Sequence, residues 1–132
     1  MNARILIVDD NATNRKLACD VLAWDGCTVE QAESAVHALA LLPSFRPDLI
    51  LMDISMPGMD GLTLTRQLKA DPTTRDVPIV ALTASAMKGD DHRAREAGCD
   101  GYISKPIDTR KFAAQVAAHL RRPDPSTPPP TP

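Results

Sequence analysis

Leu49-Ile50-Leu51-Met52-Asp53 is a short apolar run that ends in a carboxylate. Three other short runs also deliver polar groups at their carboxyl ends: residues 5–8 before Asp9 and Asp10, residues 79–82 before Thr83, and residues 102–104 before Lys105. Near-continuous apolar runs are typical of strands that are buried on both faces of a parallel sheet. Because the carboxyl ends of parallel strands lie at one edge, we expect three carboxylates, one hydroxyl and one ammonium to converge on one crevice.

Helical patterns separate these runs along the chain. The predicted strands are residues 5–8, 28–32, 49–52, 79–82 and 102–103. The first predicted helix ends at Gly26, and the second is capped by Ser34, ends before Pro43 and carries Val36, Leu39, Ala40 and Leu42. The third covers residues 61–70, and the fourth lies within residues 86–97 and ends at Gly98. The fifth runs from a cap at Asp108 to about Arg121. Five βα repeats with right-handed crossovers predict an α/β fold with a doubly wound, five-stranded parallel sheet. The flavodoxin-like strand order 2-1-3-4-5 would place the first and third strands side by side.

Length and charge limit the classes of function. The chain has 132 residues, so we expect one ordinary domain. Its formal net charge is −2, so we expect no overall attraction to nucleic acid or to an anionic membrane. No apolar stretch approaches the roughly 20 residues of a spanning helix, and no signal peptide is visible before the first strand. Cys19, Cys27 and Cys99 lack metal-ligand spacing and fit free thiols in a reducing compartment. These features predict a cytoplasmic protein.

Residues 123–132 differ in composition from the rest of the chain. They contain six of the twelve prolines and no large apolar residue, so they cannot contribute to a hydrophobic core. We predict a folded domain over residues 1–122, followed by an extended and disordered tail. A ligand for a proline-recognition domain is the alternative interpretation of this tail.

The expected cluster of acids calls for a cation. Carboxylates about 4–6 Å apart repel one another by about 1 kcal/mol for each pair even at a water-like dielectric constant, and one lysine cannot offset three of them. Mg²⁺ prefers one or two carboxylates together with carbonyl groups and water, and Mn²⁺ is the alternative ion. We predict that Asp10 and Asp53 bind the ion directly, that Asp9 binds it through water, and that the Ser55 carbonyl completes the shell.

A carboxylate beside such a metal can act as a nucleophile. An attack by Asp53 on a phosphoryl group would form an aspartyl phosphate. Lys105 would then pair with the phosphoryl oxygens as a point charge, and the Thr83 hydroxyl would donate to another oxygen. The residues therefore predict phosphoryl transfer at this edge of the sheet.

The polar groups at the strand ends match a known family pattern. The family has an acidic pair after the first strand, an Asp after the third, a Thr or Ser after the fourth and a Lys-Pro pair after the fifth. These are here Asp9-Asp10, Asp53, Thr83 and Lys105-Pro106. With the segment from Met56 to Gly61, they make residues 4 to about 120 resemble the receiver domain of two-component response regulators. Residues 86–90 and 97–107 are similar to those of DivK-type single-domain regulators and of hybrid-kinase receivers. The tail lies outside the resemblance.

The resemblance implies a (βα)5 receiver fold and a phosphorelay function. A histidine kinase or a histidine phosphotransfer protein would supply the phosphoryl group to Asp53 with Mg²⁺, and the modified chain would change its contacts with a downstream protein target. No nucleic acid or membrane is expected as a partner. We expect no enzyme activity apart from self-phosphorylation and autodephosphorylation. We also expect a monomer, with dimerisation on phosphorylation as the alternative.

The resemblance implies further roles for individual residues. The Lys105–Pro106 peptide bond would be cis. In the switch, Thr83 would move toward the phosphoryl group while Tyr102 changes rotamer, and the fourth helix, fifth strand and fifth helix would form the output face. Kinase docking would use one face of the first helix and the loop after the fifth strand: Asn14, Arg15, Ala18, Leu22 and Ile107.

Several alternatives stay open at this point. Ala18 and Leu22 can be packing residues, and Tyr102 can be an aromatic at the edge of the core. A phosphatase with an aspartyl nucleophile would want a second acid at the position of Ser55. A phosphorylation-independent adaptor would share the fold but lack some of the site residues. Nucleotide or flavin binding is disfavoured because no glycine-rich fingerprint follows the first strand.

Overall fold

Strands and helices alternate along the whole described chain. The computed structural model describes residues 3–54, 61–83, 90–105 and 107–120. The elements in chain order are β1 Arg4–Val8, α1 Ala12–Trp24, β2 Thr28–Ala32, α2 Ala35–Leu41, β3 Leu49–Asp53, α3 Gly61–Ala70, β4 Ile79–Thr83, α4 Asp90–Ala97, β5 Gly101–Ser104 and α5 Phe112–Leu120. The predicted alternation is confirmed, and the bounds of β2 and α3 agree with the prediction to the residue.

The five strands form one parallel sheet in the order β2-β1-β3-β4-β5, as predicted. In the register, Val8 lies opposite both Ala32 and Met52, and Asp53 lies opposite Leu82. The carboxyl ends of β1 and β3 are therefore level with each other at the centre of the sheet. This alignment brings the residues that follow or end these strands to one edge, which we call the carboxyl edge.

The core has two layers because alternate side chains of each strand point to opposite faces of the sheet. On one face, Leu6, Ile50 and their neighbours pack with α2, α3 and α4. On the other face, Ile5, Leu49 and their neighbours pack with α1 and α5. All five residues of β3 and of β4 are buried, which explains why their sequences are nearly continuous apolar runs.

Capping side chains and glycines set the helix ends. Ser34 accepts a hydrogen bond from the His37 backbone N–H at 3.1 Å, so the predicted cap of α2 is confirmed. Gly26 and Gly98 end α1 and α4 with φ angles of 93° and 108°, a conformation that glycine adopts at low cost. The Asp108 side chain accepts from the Arg110 N–H at 3.0 Å and so caps the turn that leads into α5.

Two helices present large apolar side chains to solvent. In α2 the small residues Ala35 and Ala38 face the sheet, whereas Val36 is 71% exposed. Trp24, the last residue of α1, is 94% exposed. Among the described helices, none combines the length and apolar character that a bilayer crossing requires.

Lys69 makes several hydrogen bonds at the opposite edge of the sheet, where the strands begin. Lys69 Nζ donates to the carbonyl oxygens of Arg75 and Val77 at 3.1 and 2.9 Å, and to Asp100 Oδ2 at 2.8 Å. The same carboxylate oxygen accepts from the Ile79 N–H at 2.8 Å. These bonds join the end of α3 to the starts of β4 and β5, which fixes the strands whose other ends carry the polar residues.

Candidate functional site

Three carboxylates meet at the carboxyl edge, as predicted. Asp9 follows β1, Asp10 comes next, and Asp53 ends the neighbouring strand β3. One oxygen of each carboxylate lies within 4.8 Å of one oxygen of each of the others. Asp9 and Asp53 are buried, whereas Asp10 is exposed, so the cluster opens to solvent on the side of Asp10.

Lys105 lies between the two buried acids. Its Nζ atom is 3.1 Å from Asp53 Oδ2 and 3.3 Å from Asp9 Oδ2. One ammonium and three carboxylates keep a formal charge of −2 as a group. Repulsion within the group therefore favours the binding of a cation.

The residues of the cluster fit a hard divalent cation. Asp9 Oδ1 accepts a hydrogen bond from the Asn11 N–H at 2.9 Å. Asp9 Oδ2 is buried, and within the described part of the chain no donor reaches it in hydrogen-bond geometry, although the Lys105 ammonium lies near it. The Lys105 ammonium offsets part of the charge on this oxygen, which still lacks a hydrogen bond and can bind a further cation. Carboxylate oxygens are the ligands that Mg²⁺ prefers, so the donor set fits this ion.

Thr83 ends β4 beside the cluster and is fully buried. Its carbonyl oxygen accepts a hydrogen bond from the Lys105 backbone N–H at 2.7 Å, which fixes the start of the Lys105 loop. Ser104 lies opposite Thr83 in the register, and Tyr102 is on the same face of β5. Tyr102 is 37% exposed, so its ring is at the surface in this arrangement. The switch that involves Thr83 and Tyr102 stays a prediction.

The structure corrects the predicted docking face on α1. Ala18 and Leu22 are fully buried against the sheet, so these two side chains have no surface to offer a partner. Four-residue spacing does place them on one helix face, but that face is the packed one. Asn14 and Arg15 are half-buried at the start of the helix, and Ile107 packs partly against the core.

Three features of the site were not identified from the sequence. Asn11 caps α1, because its side chain accepts from the Asn14 N–H at 3.0 Å. Gly61 lies against the carbonyl of Asp53. Arg15 Nη1 donates to the Asp9 carbonyl at 2.7 Å. Of the three, only the cap could have been predicted from the neighbouring sequence, since Asn just before a helix is a preferred capping residue.

Some predictions concern residues outside the described ranges. They are the carbonyl ligand of Ser55, the cis peptide bond between Lys105 and Pro106, and the tail over residues 123–132. These stay predictions.

Comparisons with known proteins agree with one another. Residues 5–117 match the family model for the response regulator receiver domain. The polar-differentiation response regulators DivK of Brucella ovis and Brucella abortus are each 42% identical over 120 residues, which cover 91% of this chain and 98% of the relative.

Solved structures show the same fold. A putative response regulator from Chloroflexus aurantiacus is 32% identical with a TM-score of 0.86, and the match covers 92% of this chain and all of that one. The receiver domain of a signal transduction histidine kinase from Syntrophus aciditrophicus is 34% identical with a TM-score of 0.81, over 95% and 97% of the two chains. The chemotaxis response regulator CheY4 of Vibrio cholerae is 25% identical with a TM-score of 0.84, over 90% and 99%.

Proposed function

This chain belongs to the response regulator receiver family, and we propose that it takes a phosphoryl group onto Asp53 from a sensor histidine kinase or a histidine phosphotransfer protein. The observation that carries the proposal is the position of Asp53. It ends the central strand β3, is buried, and has its Oδ2 atom 3.1 Å from the Lys105 ammonium. All the charged residues of the family pattern meet here, which argues against an adaptor that has lost the chemistry.

The proposed reaction is a direct transfer. A carboxylate oxygen of Asp53 attacks the phosphorus atom, a P–O bond forms, and the P–N bond to the donor imidazole breaks with the electron pair leaving on nitrogen. Lys105 then pairs with phosphoryl oxygens, and the Thr83 hydroxyl donates to one of them. The carboxylates of Asp9, Asp10 and Asp53 would hold Mg²⁺ or Mn²⁺, which when bound offsets charge on the phosphoryl group.

The charge change at Asp53 is the proposed signal. An acyl phosphate carries more negative charge than the carboxylate it replaces, so Lys105 gains a stronger partner than Asp9 or Asp53 offers now. We propose that movement of Thr83 and Tyr102 then alters α4, β5 and α5, where a downstream protein binds. In α4, the described buried side chains are the small residues Ala94 and Ala97. A helix with such small packing residues is held weakly and can be moved at low cost.

The proposed setting is a cytoplasmic relay. The partners are a kinase or phosphotransfer protein on one side and a protein target on the other, with no nucleic acid or membrane. The protein is proposed to be a monomer that either stays monomeric or dimerises on phosphorylation. Relatives that the match covers over 98% of their length are named as response regulators, and this supports a role in signalling.

The test is labelling with a small phosphodonor. Wild type incubated with acetyl phosphate and Mg²⁺ should gain the mass of one phosphoryl group, and Asp53→Asn should gain none. Asp48→Asn is the matched control, since Asp48 precedes the same strand at its other end and accepts from the Arg4 N–H at 2.8 Å. It should label like wild type. Full labelling of Asp53→Asn would overturn the assignment.

A further inference from the structure

Arg15 links the ends of β1 and β2 beside the acidic cluster. It is the fourth residue of α1 and is half-buried. Its Nη1 atom donates to the Asp9 carbonyl oxygen at 2.7 Å, and its Nε atom donates to Gln31 Oε1 at 3.3 Å. Two nitrogen atoms of the Arg15 side chain therefore bond to groups at the ends of these strands.

The Asp9 carbonyl needs this donor because the strand ladder stops there. The Asp9 N–H donates to the Ala32 carbonyl at 3.1 Å, and Ala32 is the last residue of β2. In a continuing parallel ladder, a backbone N–H further along β2 would bond the Asp9 carbonyl. Arg15 supplies the donor that the ended strand does not.

The bonds around Arg15 close a ring. Asp9 Oδ1 accepts from the Asn11 N–H at 2.9 Å, and the Asn11 carbonyl accepts from the Arg15 N–H at 3.1 Å. The Arg15 side chain completes the ring by its bond to the Asp9 carbonyl. Asp10 lies between Asp9 and Asn11, two residues that the ring joins, and it is the exposed acid of the cluster.

We propose that Arg15 is a positioning residue for the cation site. It holds the Asp9–Asp10 peptide in place, so the Asp10 carboxylate stays within reach of Asp9 and Asp53 before a cation binds. This inference rests on the proposed function, because it assumes that the cluster binds Mg²⁺. It gives Arg15 a role inside the site, in place of contact with a docked kinase.

Two effects of Arg15 on a cation have opposite signs. Its positive charge repels the ion, so loss of the charge alone would raise the affinity for Mg²⁺. Its fixed donors place Asp10, so loss of the geometry would lower the affinity. Arg15→Lys separates the two, because lysine keeps the charge but lacks the planar fork of donors.

Calorimetric titration with MgCl₂ tests the proposal. Arg15→Lys should bind Mg²⁺ about fivefold more weakly than wild type, the factor expected for one lost hydrogen bond. Lys16→Gln is the control, since Lys16 is exposed on the same helix and pairs with Asp20 at 3.0 Å. It loses a positive charge without any contact to Asp9, and it should bind Mg²⁺ within about twofold of wild type.

A second measurement reports the ring itself. In the metal-free protein, amide exchange at Asp10 and Asn11 should be faster in Arg15→Lys, while the melting temperature changes little. Gln31→Ala removes the acceptor of the Arg15 Nε hydrogen bond, and Gln31 is an exposed residue of β2. This variant tests the proposal if an Arg15 variant fails to fold. It should weaken Mg²⁺ binding in the same direction.

The titrations distinguish a failure of the Arg15 proposal from a failure of the proposed function. If wild type binds no Mg²⁺, the cluster is not a cation site and both ideas fail. If wild type binds Mg²⁺ but Arg15→Lys and Gln31→Ala bind it equally well, the positioning role is wrong and the proposed function stands. A rise in affinity in Arg15→Gln, with Arg15→Lys unchanged, would show that Arg15 acts only through its charge.

Discussion

Gly61 lies directly against the carbonyl group of Asp53. A Cβ atom on residue 61 would overlap the Asp53 carbonyl oxygen, and it would also press on the Met52 side chain. Gly61 is the first residue of α3, so the helix begins against the backbone of the proposed phosphoacceptor. Glycine permits this close approach because it has no side chain.

Gly61→Ala should therefore disturb both stability and chemistry. The contact is with backbone, which cannot move aside as a flexible side chain can, so we expect a loss of about 1–3 kcal/mol in the free energy of unfolding. Labelling of Asp53 by acetyl phosphate should also slow. Denaturant unfolding and intact-mass kinetics measure the two effects. Gln67→Ala, at an exposed position of the same helix, should leave both unchanged.

Asp10→Asn should change stability in opposite directions with and without metal. Without metal, the removal of one of three close carboxylates relieves repulsion, and the free energy of unfolding should rise by up to about 1 kcal/mol. With MgCl₂, wild type should gain stability by mass action and the variant should gain much less. Urea midpoints in MgCl₂ and in EDTA measure this. A gain in Asp10→Asn as large as that of wild type would remove Asp10 from the ligand set.

Gly101 and His119 should be energetically coupled. The His119 ring of α5 lies over Gly101 of β5, where a Cβ atom would collide with the ring. The contact is with a side chain that can turn aside, so we expect Gly101→Ala to cost less than Gly61→Ala, about 1 kcal/mol of stability. In a His119→Ala background the same change should cost much less, since the colliding ring is absent. A double-mutant cycle by denaturant unfolding measures the coupling, and purely additive effects would contradict the contact.

The same histidine predicts a pH dependence. Burial lowers the pKa of His119, and the Asp100 carboxylate, which pairs with Lys69, partly opposes the effect by raising it. The unfolded chain then binds a proton at about pH 6.5, where the folded protein does not yet bind it. The contribution of His119 to stability is fully present above that pH and is lost as pH falls through the lower folded pKa.

The check is a comparison with His119→Gln. Urea midpoints at about pH 7.5 and about pH 5.5 should show a larger loss on acidification in wild type than in the variant, because only wild type has the lowered pKa of His119. His37 and His92 are present in both proteins and cancel in the comparison. Equal losses in the two proteins would show that His119 does not carry the pH dependence.

The sheet could be predicted from sequence because its signals are local. Strands buried on both faces must be apolar throughout, and β1, β3 and β4 show this directly. The polar residues at their ends then had to meet, because parallel strands end at one edge. The site acids and Lys105 were predictable for this reason.

The rest depends on distances between elements, which no local pattern encodes. Ala18 and Leu22 share a face with Asn14, but only the packing of α1 decides that this face is buried. The identity of Arg15 does not reveal that its guanidinium reaches back to the Asp9 carbonyl. Gly61 follows a segment rich in turn residues, and its contact with Asp53 appears only once α3 is placed against β3.

Trp24 gives the protein a natural optical reporter at a known place. It is the only tryptophan of the chain and lies almost fully in water at the last residue of α1. Twelve helical steps separate it from the start of α1 near the acids, about 18 Å at the usual rise per residue. Its emission should stay red-shifted and readily quenched by iodide whether or not Asp53 is modified. A binding partner that shifts this emission must therefore cover the end of α1 that is remote from the chemistry.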